Sequence, residues 1–279
     1  RWADVTGDGG KELILVGEGM SPRIYSYNRK SGKLEEQKQT GLEGMEGWWQ
    51  SLEVSDLDGD GRADLVLGNI GENFYLRPDG DHPVRLWVND FDGSGTTDQF
   101  LTRRVDGRDM PVFLKREVTD QFPQLKKQNL KHSDYAKRSV EELFGRELVS
   151  GARKLEFRYC RSVIAYNEGG GRFRVEALPV WVQLSSVKGL YAGDVNGDGR
   201  SDLLVGGNLF TFPPQFGRLD GSYGHVLLNE GGRRWRLLSS NESGLFIKGE
   251  IKDIKVISNK YLVAVVNNER PVLYRLRGK

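Results

Sequence analysis

The sequence predicts an all-β protein, a β-propeller of about four to five blades that is part of a larger propeller and carries a small helical insertion. Two observations support this prediction. An acidic, glycine-rich loop recurs four times, each time followed by a short apolar run. Glycine supplies 36 of the 279 residues, about 13 % against an average of roughly 7 %, which is typical of a chain with many tight turns.

The four loop copies share an aspartate at the first position, glycines at the fourth and sixth, and a carboxylate at the ninth. They begin at Asp4, Asp56, Asp90 and Asp194. Short strands joined by glycine-rich turns, repeating roughly every 50–60 residues, fit propeller blades of about four strands each. Residues 1–279 are therefore predicted to be one propeller segment.

A second element alternates with the loops in fixed phase. The sequence Asn-Glu-Gly-Gly lies between apolar runs at Asn167 and at Asn229, and a looser copy contains Asn28. Each copy is predicted to be a β-hairpin. A last repeat, near Asp253, retains the apolar runs but has lost the acidic residues of its loop.

One stretch breaks the repeat period, because 104 residues separate Asp90 from Asp194. Residues 114–150 are predicted to form a helical insertion. Ser133 is a suitable N-cap, apolar residues follow at helical spacing, and Gly145 can end the helix.

Composition excludes several classes of function. The 41 Lys and Arg nearly balance the 39 Asp and Glu, so a net charge of +2 gives no field that would draw the chain to nucleic acid. No run of 18 apolar residues is present, so no transmembrane segment is expected. The single cysteine, Cys160, cannot form an internal disulfide. The chain begins without Met and with little ahead of its first loop, so we expect it to belong to a longer polypeptide.

The acidic loops have the chemistry of calcium sites. Oxygen-bearing side chains stand at positions 1, 3, 5 and 9, and a backbone carbonyl at position 7 can supply a further ligand. Up to four structural Ca²⁺ ions are predicted. The candidate metal residues are Asp4, Thr6, Asp8, Gly10, Glu12, Asp56, Asp58, Asp60, Arg62, Asp64, Asp90, Asp92, Ser94, Thr96, Asp98, Asp194, Asn196, Asp198, Arg200 and Asp202.

These loops differ from EF-hands, which need Glu at position 12. That position holds an apolar residue in all four copies, within a run that is typical of a β-strand. Loop 56–64 has four carboxylates and is expected to bind most tightly. The alternative is an aspartate-rich turn held by its own backbone bonds without metal.

These residues resemble a known repeat family. The loops at Asp56 and Asp194, together with the hairpins, look like FG-GAP/VCBS repeats, the calcium-binding propeller repeats shared with integrin α-chains. Residues 89–99, 134–145 and 207–223 further resemble bacterial proteins of the ASPIC/UnbV, cartilage-acidic-protein-like group. The resemblance implies a propeller in an extracytoplasmic protein, periplasmic, secreted or at the cell surface, with calcium in the matching loops and no catalytic residue.

The favoured function is a non-enzymatic module that binds or assembles with a protein or a glycan. Its candidate contact residues lie in one glycine-flanked stretch, namely Phe210, Phe212, Phe216, Arg218, Asp220 and Tyr223. The alternative for this stretch is a loop folded on its own aromatic rings. For the whole chain, the alternatives are a calcium-dependent lyase acting on acidic polysaccharide and an integrin-like adhesion head.

Overall fold

The computed structural model describes residues 1–276, which form two compact units. The first unit combines residues 1–77 with the chain from Cys160 onward, and the second unit is Pro78–Tyr159. The second unit is thus inserted into the sequence of the first.

Strands dominate the first unit, and the second unit contains both strands and helices. In chain order the strands are β1 (Trp2–Ala3), β2 (Glu12–Leu15), β3 (Glu18–Met20), β4 (Arg23–Asn28), β5 (Lys33–Glu36), β6 (Gly47–Trp48), β7 (Ser51–Ser55), β8 (Asp64–Gly68), β9 (Val84–Asn89), β10 (Asp98–Val105), β11 (Arg108–Pro111), β12 (Arg153–Phe157), β13 (Val163–Gly169), β14 (Arg172–Ala177), β15 (Val187–Gly193), β16 (Asp202–Gly207), β17 (His225–Asn229), β18 (Trp235–Leu237), β19 (Ile251–Ile257), β20 (Tyr261–Val266) and β21 (Val272–Arg275). The helices are α1 (Lys115–Gln121), α2 (Leu125–Gln128), α3 (His132–Tyr135), α4 (Val140–Phe144), α5 (Arg146–Ser150) and α6 (Ser240–Ser243), with 3₁₀ turns at Val182–Leu184 and Pro214–Phe216.

Four antiparallel sheets of the first unit are the blades of the predicted β-propeller. Blade I is β1-β2-β4-β5, blade II is β7-β8-β13-β14, blade III is β15-β16-β17-β18, and blade IV is the three-stranded sheet β19-β20-β21. A short two-stranded ribbon pairs β3, which lies between β2 and β4 of blade I in sequence, with β6, which lies between blades I and II. Blade II is split in sequence, because the second unit lies between its strands β8 and β13.

The middle strands of the inner blades bury both of their faces. In blade III, Leu203 and Val205 pack with Val66 of blade II, whereas Leu204 between them packs with Ile254 of blade IV. Successive side chains of a strand point to opposite sides of the sheet, so one apolar strand serves two blade junctions. This explains why the runs after loops 56–64 and 194–202 are continuously apolar.

The third loop copy belongs to the second unit. Loop 90–98 joins β9 to β10 in a sheet of order β11-β10-β9-β12. That sheet packs with the helices around a cluster of aromatic rings that includes Phe91, Phe100, Phe122 and Phe144, whose centroids lie 4.6–6.5 Å apart. The segment expected to be helical, 114–150, holds α1 to α5 of this unit.

The helix expected to run from Ser133 to Gly145 is interrupted in the structure. Ser133 lies inside α3 instead of capping a longer helix. A new helix, α4, begins after Ser139, whose side chain accepts a hydrogen bond from the Glu142 backbone N–H while Glu142 accepts one in return from the Ser139 backbone. This reciprocal capping satisfies N–H groups at a helix start, so the chain breaks into two short helices. Gly145, at φ 89°, ends α4 as expected.

Among the described residues, no helix has the length and the apolar content that crossing a membrane requires.

Candidate metal centre

Three of the four acidic loops lie at equivalent places in their sheets, between an edge strand and its neighbour, and loop 90–98 joins the two central strands of its sheet. Loops 4–12, 56–64 and 194–202 join the first and second strands of blades I, II and III, and loop 90–98 joins β9 to β10. The loops therefore connect β-strands, and their ninth residues are the first residues of β2, β8, β10 and β16.

The first and ninth residues hold each loop in shape. In loop 56–64, the two carboxylate oxygens of Asp56 accept hydrogen bonds from the backbone N–H groups of Gly59, at 2.8 Å, and Gly61, at 2.9 Å. Asp64 accepts one from the backbone N–H of Leu57 at 2.9 Å. The other three loops repeat both features with their own residues. A carboxylate oxygen has two lone pairs, so these bonds leave capacity for a cation.

Loop 56–64 brings three carboxylates together. One oxygen each of Asp56, Asp58 and Asp64 lies within 4.8 Å of the others, a spacing that one divalent cation can bridge. Asp60 is engaged differently, because its carboxylate pairs with the guanidinium of Arg62 and accepts the Arg62 backbone N–H at 2.9 Å. The converging set is therefore three carboxylates and not four.

Asp64 is fully buried at the base of this loop. Burial raises the pKa of Asp64 to about 6, and the nearby charges of Asp58 and Asp60 act in the same direction, although backbone N–H groups of Asn167 and Leu57 oppose it. Burial disfavours the charged form of a carboxyl group. A bound cation would relieve this cost by neutralising the clustered charge.

Loop 90–98 of the second unit also brings three carboxylates together. Oxygens of Asp90, Asp92 and Asp98 lie within 4.8 Å of one another. The hydroxyls of Ser94 and Thr96 lie 2.7 Å apart in the same loop. Hydrogen bonds from Ser94 hold the pKa of Asp92 below its usual value, so its carboxylate is charged at neutral pH.

Loops 194–202 and 4–12 offer mixed donor sets. The Asn196 amide donates to Asp198 at 3.1 Å, and Arg200 donates to the same carboxylate at 2.7 Å. Asp202 is fully buried like Asp64, and burial raises its pKa. In loop 4–12, the hydroxyl oxygen of Thr6 is buried and has no hydrogen-bond partner within the described residues. An orphaned oxygen at the third position fits a missing cation or water ligand.

The recurring hairpin asparagines connect the loops of successive blades. Asn167 of blade II donates its side-chain N–H groups to the carbonyls of Val5, in loop 4–12, and of Ala63, at 2.9 and 3.1 Å. Asn229 of blade III does the same with Leu57, in loop 56–64, and with Ser201, at 2.6 and 3.1 Å. Each asparagine thus ties its own blade to the loop of the preceding blade.

Not every predicted copy of this element makes the connection. The side chain of Asn28 bonds to Glu35 of the same hairpin at 2.8 Å, at an exposed position. Two loop arginines reinforce the connection where it exists, because Arg62 donates from Nε to the Asn167 carbonyl and Arg200 to the Asn229 carbonyl, both at 2.8 Å.

We expect Asn229→Ala to lower the free energy of unfolding by about 2–4 kcal/mol, because two carbonyls, one of them fully buried, lose their donor. Asn28→Ala is the matched control and should change the free energy of unfolding by less than about 0.5 kcal/mol. Urea unfolding of both variants checks this. Equal stability of Asn229→Ala and the unmodified chain would show that the connection contributes nothing.

Arg233 from the next blade reaches into loop 56–64. Its guanidinium contacts one carboxylate oxygen of Asp58 at 2.8 and 2.9 Å, pairs with Glu168 at 2.9 Å, and lies over the Tyr166 ring at 4.4 Å. Burial lowers the pKa of Arg233, but its pairing with Glu168 and Asp58 outweighs this and raises it above the usual range. A permanent positive charge therefore lies beside Asp58, the third residue of loop 56–64. This is the loop that is expected from the sequence to bind calcium most tightly.

The sequence contains a signal for Arg233 in the alignment of the two hairpins. The two hairpins read Asn-Glu-Gly-Gly-Gly and Asn-Glu-Gly-Gly-Arg, which aligns Gly171 with Arg233. In the structure, a Cβ at Gly171 would lie 3.5 Å from the side chain of Thr6, the third residue of loop 4–12. Both hairpin positions therefore face the third residue of the preceding loop.

The predicted contact stretch, 210–223, is folded largely on aromatic rings. Phe212 stacks on Phe74 at 5.0 Å, and Phe216 stacks on Tyr75 at 4.7 Å. The remaining contacts are a guanidinium over a ring, Arg218 on Phe210 at 5.2 Å, and a third stack, Tyr223 on Phe246 at 4.3 Å. Tyr75 and Tyr223 remain 46 % and 42 % exposed, and Asp220 is exposed.

Comparison with known proteins finds matches to two repeat families within residues 4–87. Residues 4–67 match the family described as FG-GAP-like repeat, and residues 48–87 match the family described as FG-GAP repeat. The matched residues include loops 4–12 and 56–64, and they agree with the propeller blades seen in the structure. No curated protein matches the chain.

Proposed function

We propose that this chain is a calcium-stabilised propeller module of an extracytoplasmic protein, and that it acts in binding or assembly and not in catalysis. The observation that carries the proposal is the convergence of three carboxylates in each of two loops, one of them built around the buried Asp64. Hard oxygen donors of this kind, arranged on a tight loop, suit Ca²⁺.

Calcium would be held by the oxygen-bearing residues of each loop. In loops 56–64 and 90–98 these are Asp56, Asp58 and Asp64, and Asp90, Asp92 and Asp98. The ion would neutralise clustered carboxylates and fix the turn between two strands of one sheet. Loop 90–98 belongs to the second unit, and its second residue, Phe91, packs in the aromatic core of that unit. An ion bound in this loop would therefore also hold the Phe91 side chain in that core.

The proposed partner is a protein or a glycan. The surface formed by residues 210–223 and the rings stacked on them supports this, because Tyr75 and Tyr223 keep large exposed areas and Arg218, which lies over the Phe210 ring, is also exposed. Exposed aromatic rings next to polar groups suit stacking on a sugar or anchoring a protein side chain. An extracytoplasmic location would supply the calcium concentration that weak sites need.

We also propose that the chain is related to bacterial repeat proteins of the ASPIC/UnbV, cartilage-acidic-protein-like group. Support comes from residues 89–99, 134–145 and 207–223, which carry the resemblance. The first two segments lie in the second unit, and the third runs from the last residue of β16 towards β17.

Equilibrium dialysis of the metal-stripped chain against radioactive Ca²⁺ tests the metal part of the proposal. We expect two to four ions per chain, and Asp56→Asn combined with Asp90→Asn should reduce that number by two. Less than one bound ion at millimolar calcium would overturn the proposal, since extracellular calcium modules bind at about 10⁻⁴–10⁻³ M.

A further inference from the structure

The second unit contains a cleft that takes no part in the acidic loops. It has a volume of about 520 Å³, and it is lined by strands β9 to β11, the start of helix α4 and the first residue of helix α5. Pockets for small ligands have volumes of about 300–1,000 Å³. Four arginines line this cleft, here called the arginine cleft, namely Arg85, Arg104, Arg108 and Arg146.

The strand register places charged residues of the cleft on one face of the sheet. Arg85 on β9 pairs with Thr102 on β10 and with Glu156 on β12, and Arg104 on β10 pairs with Asp109 on β11. Cross-strand partners and alternate residues of one strand point to the same side of a sheet. Thr102 and Arg104 are alternate residues of β10, so both sets of partners share this face.

Two of the four guanidinium groups are held by carboxylates of the protein. Arg85 donates to the two carboxylate oxygens of Asp109, at 2.7 and 2.9 Å, and to Glu156 at 2.9 Å. Arg108 pairs with Glu142. These bonds hold the side chains of Arg85 and Arg108 in place.

The other two guanidinium groups keep free donors. Neither Arg104 nor Arg146 donates a side-chain hydrogen bond to any residue that the structure describes. The carboxylate of Asp109 lies 3.7 Å from the Arg104 guanidinium, and that of Glu141 lies 3.6 Å from the Arg146 guanidinium. Both distances exceed that of a hydrogen bond. A guanidinium has five N–H donors, so Arg104 and Arg146 can serve a ligand in the cleft.

Positive charge exceeds negative charge around the cleft. The carboxylates of the lining are Asp109, Glu141 and Glu142, three against four arginines. Behind Arg85, Glu156 adds one negative charge, and Lys154 and Arg158 pair with it. Burial would raise the pKa of Glu156, but these surrounding cations lower it to about 2. Six cations thus meet four carboxylates, which leaves two positive charges uncompensated.

We propose that the arginine cleft binds a sugar that carries an anionic group, either a carboxylate or a sulfate. The anionic group would lie against Arg104 and Arg146, because guanidinium groups donate paired, charge-assisted hydrogen bonds to such oxyanions. The cleft belongs to the second unit and residues 210–223 belong to the first. No residue of an acidic loop lines the cleft. The site therefore requires neither the aromatic surface nor a calcium site.

The lining favours a sugar over a bare anion or an acidic peptide. A cleft of this volume is larger than a sulfate or phosphate ion and leaves room for the ring that carries the charge. The carboxylate of Glu141 lies near Arg146 without a hydrogen bond, so it can accept one from a sugar hydroxyl. An acidic peptide brings several carboxylates, and Asp109, Glu141 and Glu142 would repel those that do not reach an arginine.

Calorimetric titration of the full chain with digalacturonate and with sulfated maltose, at matched millimolar calcium, tests the proposal. We expect a Kd of about 1 mM or tighter for at least one of the two sugars. Whichever sugar binds more tightly shows whether a carboxylate or a sulfate is recognised. Its neutral counterpart, methyl-esterified digalacturonate or plain maltose, should bind at least about tenfold more weakly, because the sugar is kept and the charge is lost.

Variants of the two arginines with free donors locate the binding. Arg104→Gln should weaken binding of the preferred sugar at least about tenfold, and Arg146→Gln at least about threefold. Arg116→Gln, in helix α1 and outside the cleft, is the matched control and should bind like the unmodified chain. The side chains of Arg146 and Arg116 are 92 % and 89 % exposed, so a difference between these two variants does not come from loss of folding.

Several results would overturn the proposal. They are no binding of either charged sugar at 1 mM, equal binding of the neutral counterpart, unchanged binding in Arg146→Gln, and a diglutamate peptide binding as tightly as the preferred sugar. Loss of binding in Tyr223→Ala, with full binding in Arg104→Gln, would also overturn it. That last result would place the sugar on the surface of residues 210–223, so it would leave the proposed function standing.

Discussion

Gly68→Ala is expected to lower the free energy of unfolding by about 3 kcal/mol, the upper part of the range for forcing an extra methyl into a packed site. Gly68 ends strand β8, where blade III approaches closely. A Cβ there would lie 2.2 Å from the Ser51 hydroxyl oxygen and 2.5 Å from the Val187 carbonyl oxygen. The same two groups form a hydrogen bond of 2.8 Å across the junction, so the methyl group would disrupt it as well.

Gly80→Ala is the matched control for this prediction. A Cβ at Gly80 meets no atom within 4 Å, and its φ lies outside the positive range that disfavours side chains. Its expected effect is below about 0.5 kcal/mol. Urea unfolding of both variants measures the difference, and equal stability would show that the approach of blades II and III at this point is looser than the structure describes.

Arg233→Ala is expected to increase the calcium affinity of loop 56–64 by about tenfold or more. The substitution removes a positive charge 2.8 Å from the Asp58 carboxylate and so removes a repulsion that a divalent cation would meet there. Without calcium the same variant should be less stable than the unmodified chain, because Asp58 and Glu168 lose their partner. A higher calcium affinity together with a lower stability without calcium distinguishes the removal of this repulsion from general damage to the fold.

Calorimetric calcium titration of Arg233→Ala tests the prediction, and the neighbouring exposed Arg234→Ala serves as the charge-matched control. The gain in affinity should disappear when Asp56→Asn is added, which assigns it to loop 56–64. An unchanged or weaker calcium affinity in Arg233→Ala would show that the guanidinium does not compete with the ion.

Much of the blade architecture was predictable, because the acidic loops and apolar runs are local signals. The place of the third loop was harder to foresee. Asp90 follows Asp56 by only 34 residues, whereas Asp56 follows Asp4 by 52, so a four-stranded blade does not fit between the second and third loops. The shared motif predicts loop 90–98 as one more copy in the series. The structure instead completes blade II with strands from beyond the second unit.

The candidate site was predictable where one loop supplies both partners of an interaction. The carboxylates at the first and ninth positions act on backbone groups of their own loop, so their spacing was enough to identify them. Arg233 acts on Asp58 from 175 positions away. Its role depends on how two blades pack, and this information is absent from the pattern of either repeat alone.

Thermal unfolding of the metal-stripped chain in millimolar calcium and in excess chelator, with magnesium as a control, tests the central claim most directly. Two sites at calcium concentrations about tenfold above Kd would add roughly 3 kcal/mol to the free energy of unfolding. For a chain of this size that corresponds to a rise in Tm of about 5 °C or more, which magnesium should not reproduce. The same Tm in calcium and in chelator would contradict the claim that the acidic loops hold structural calcium.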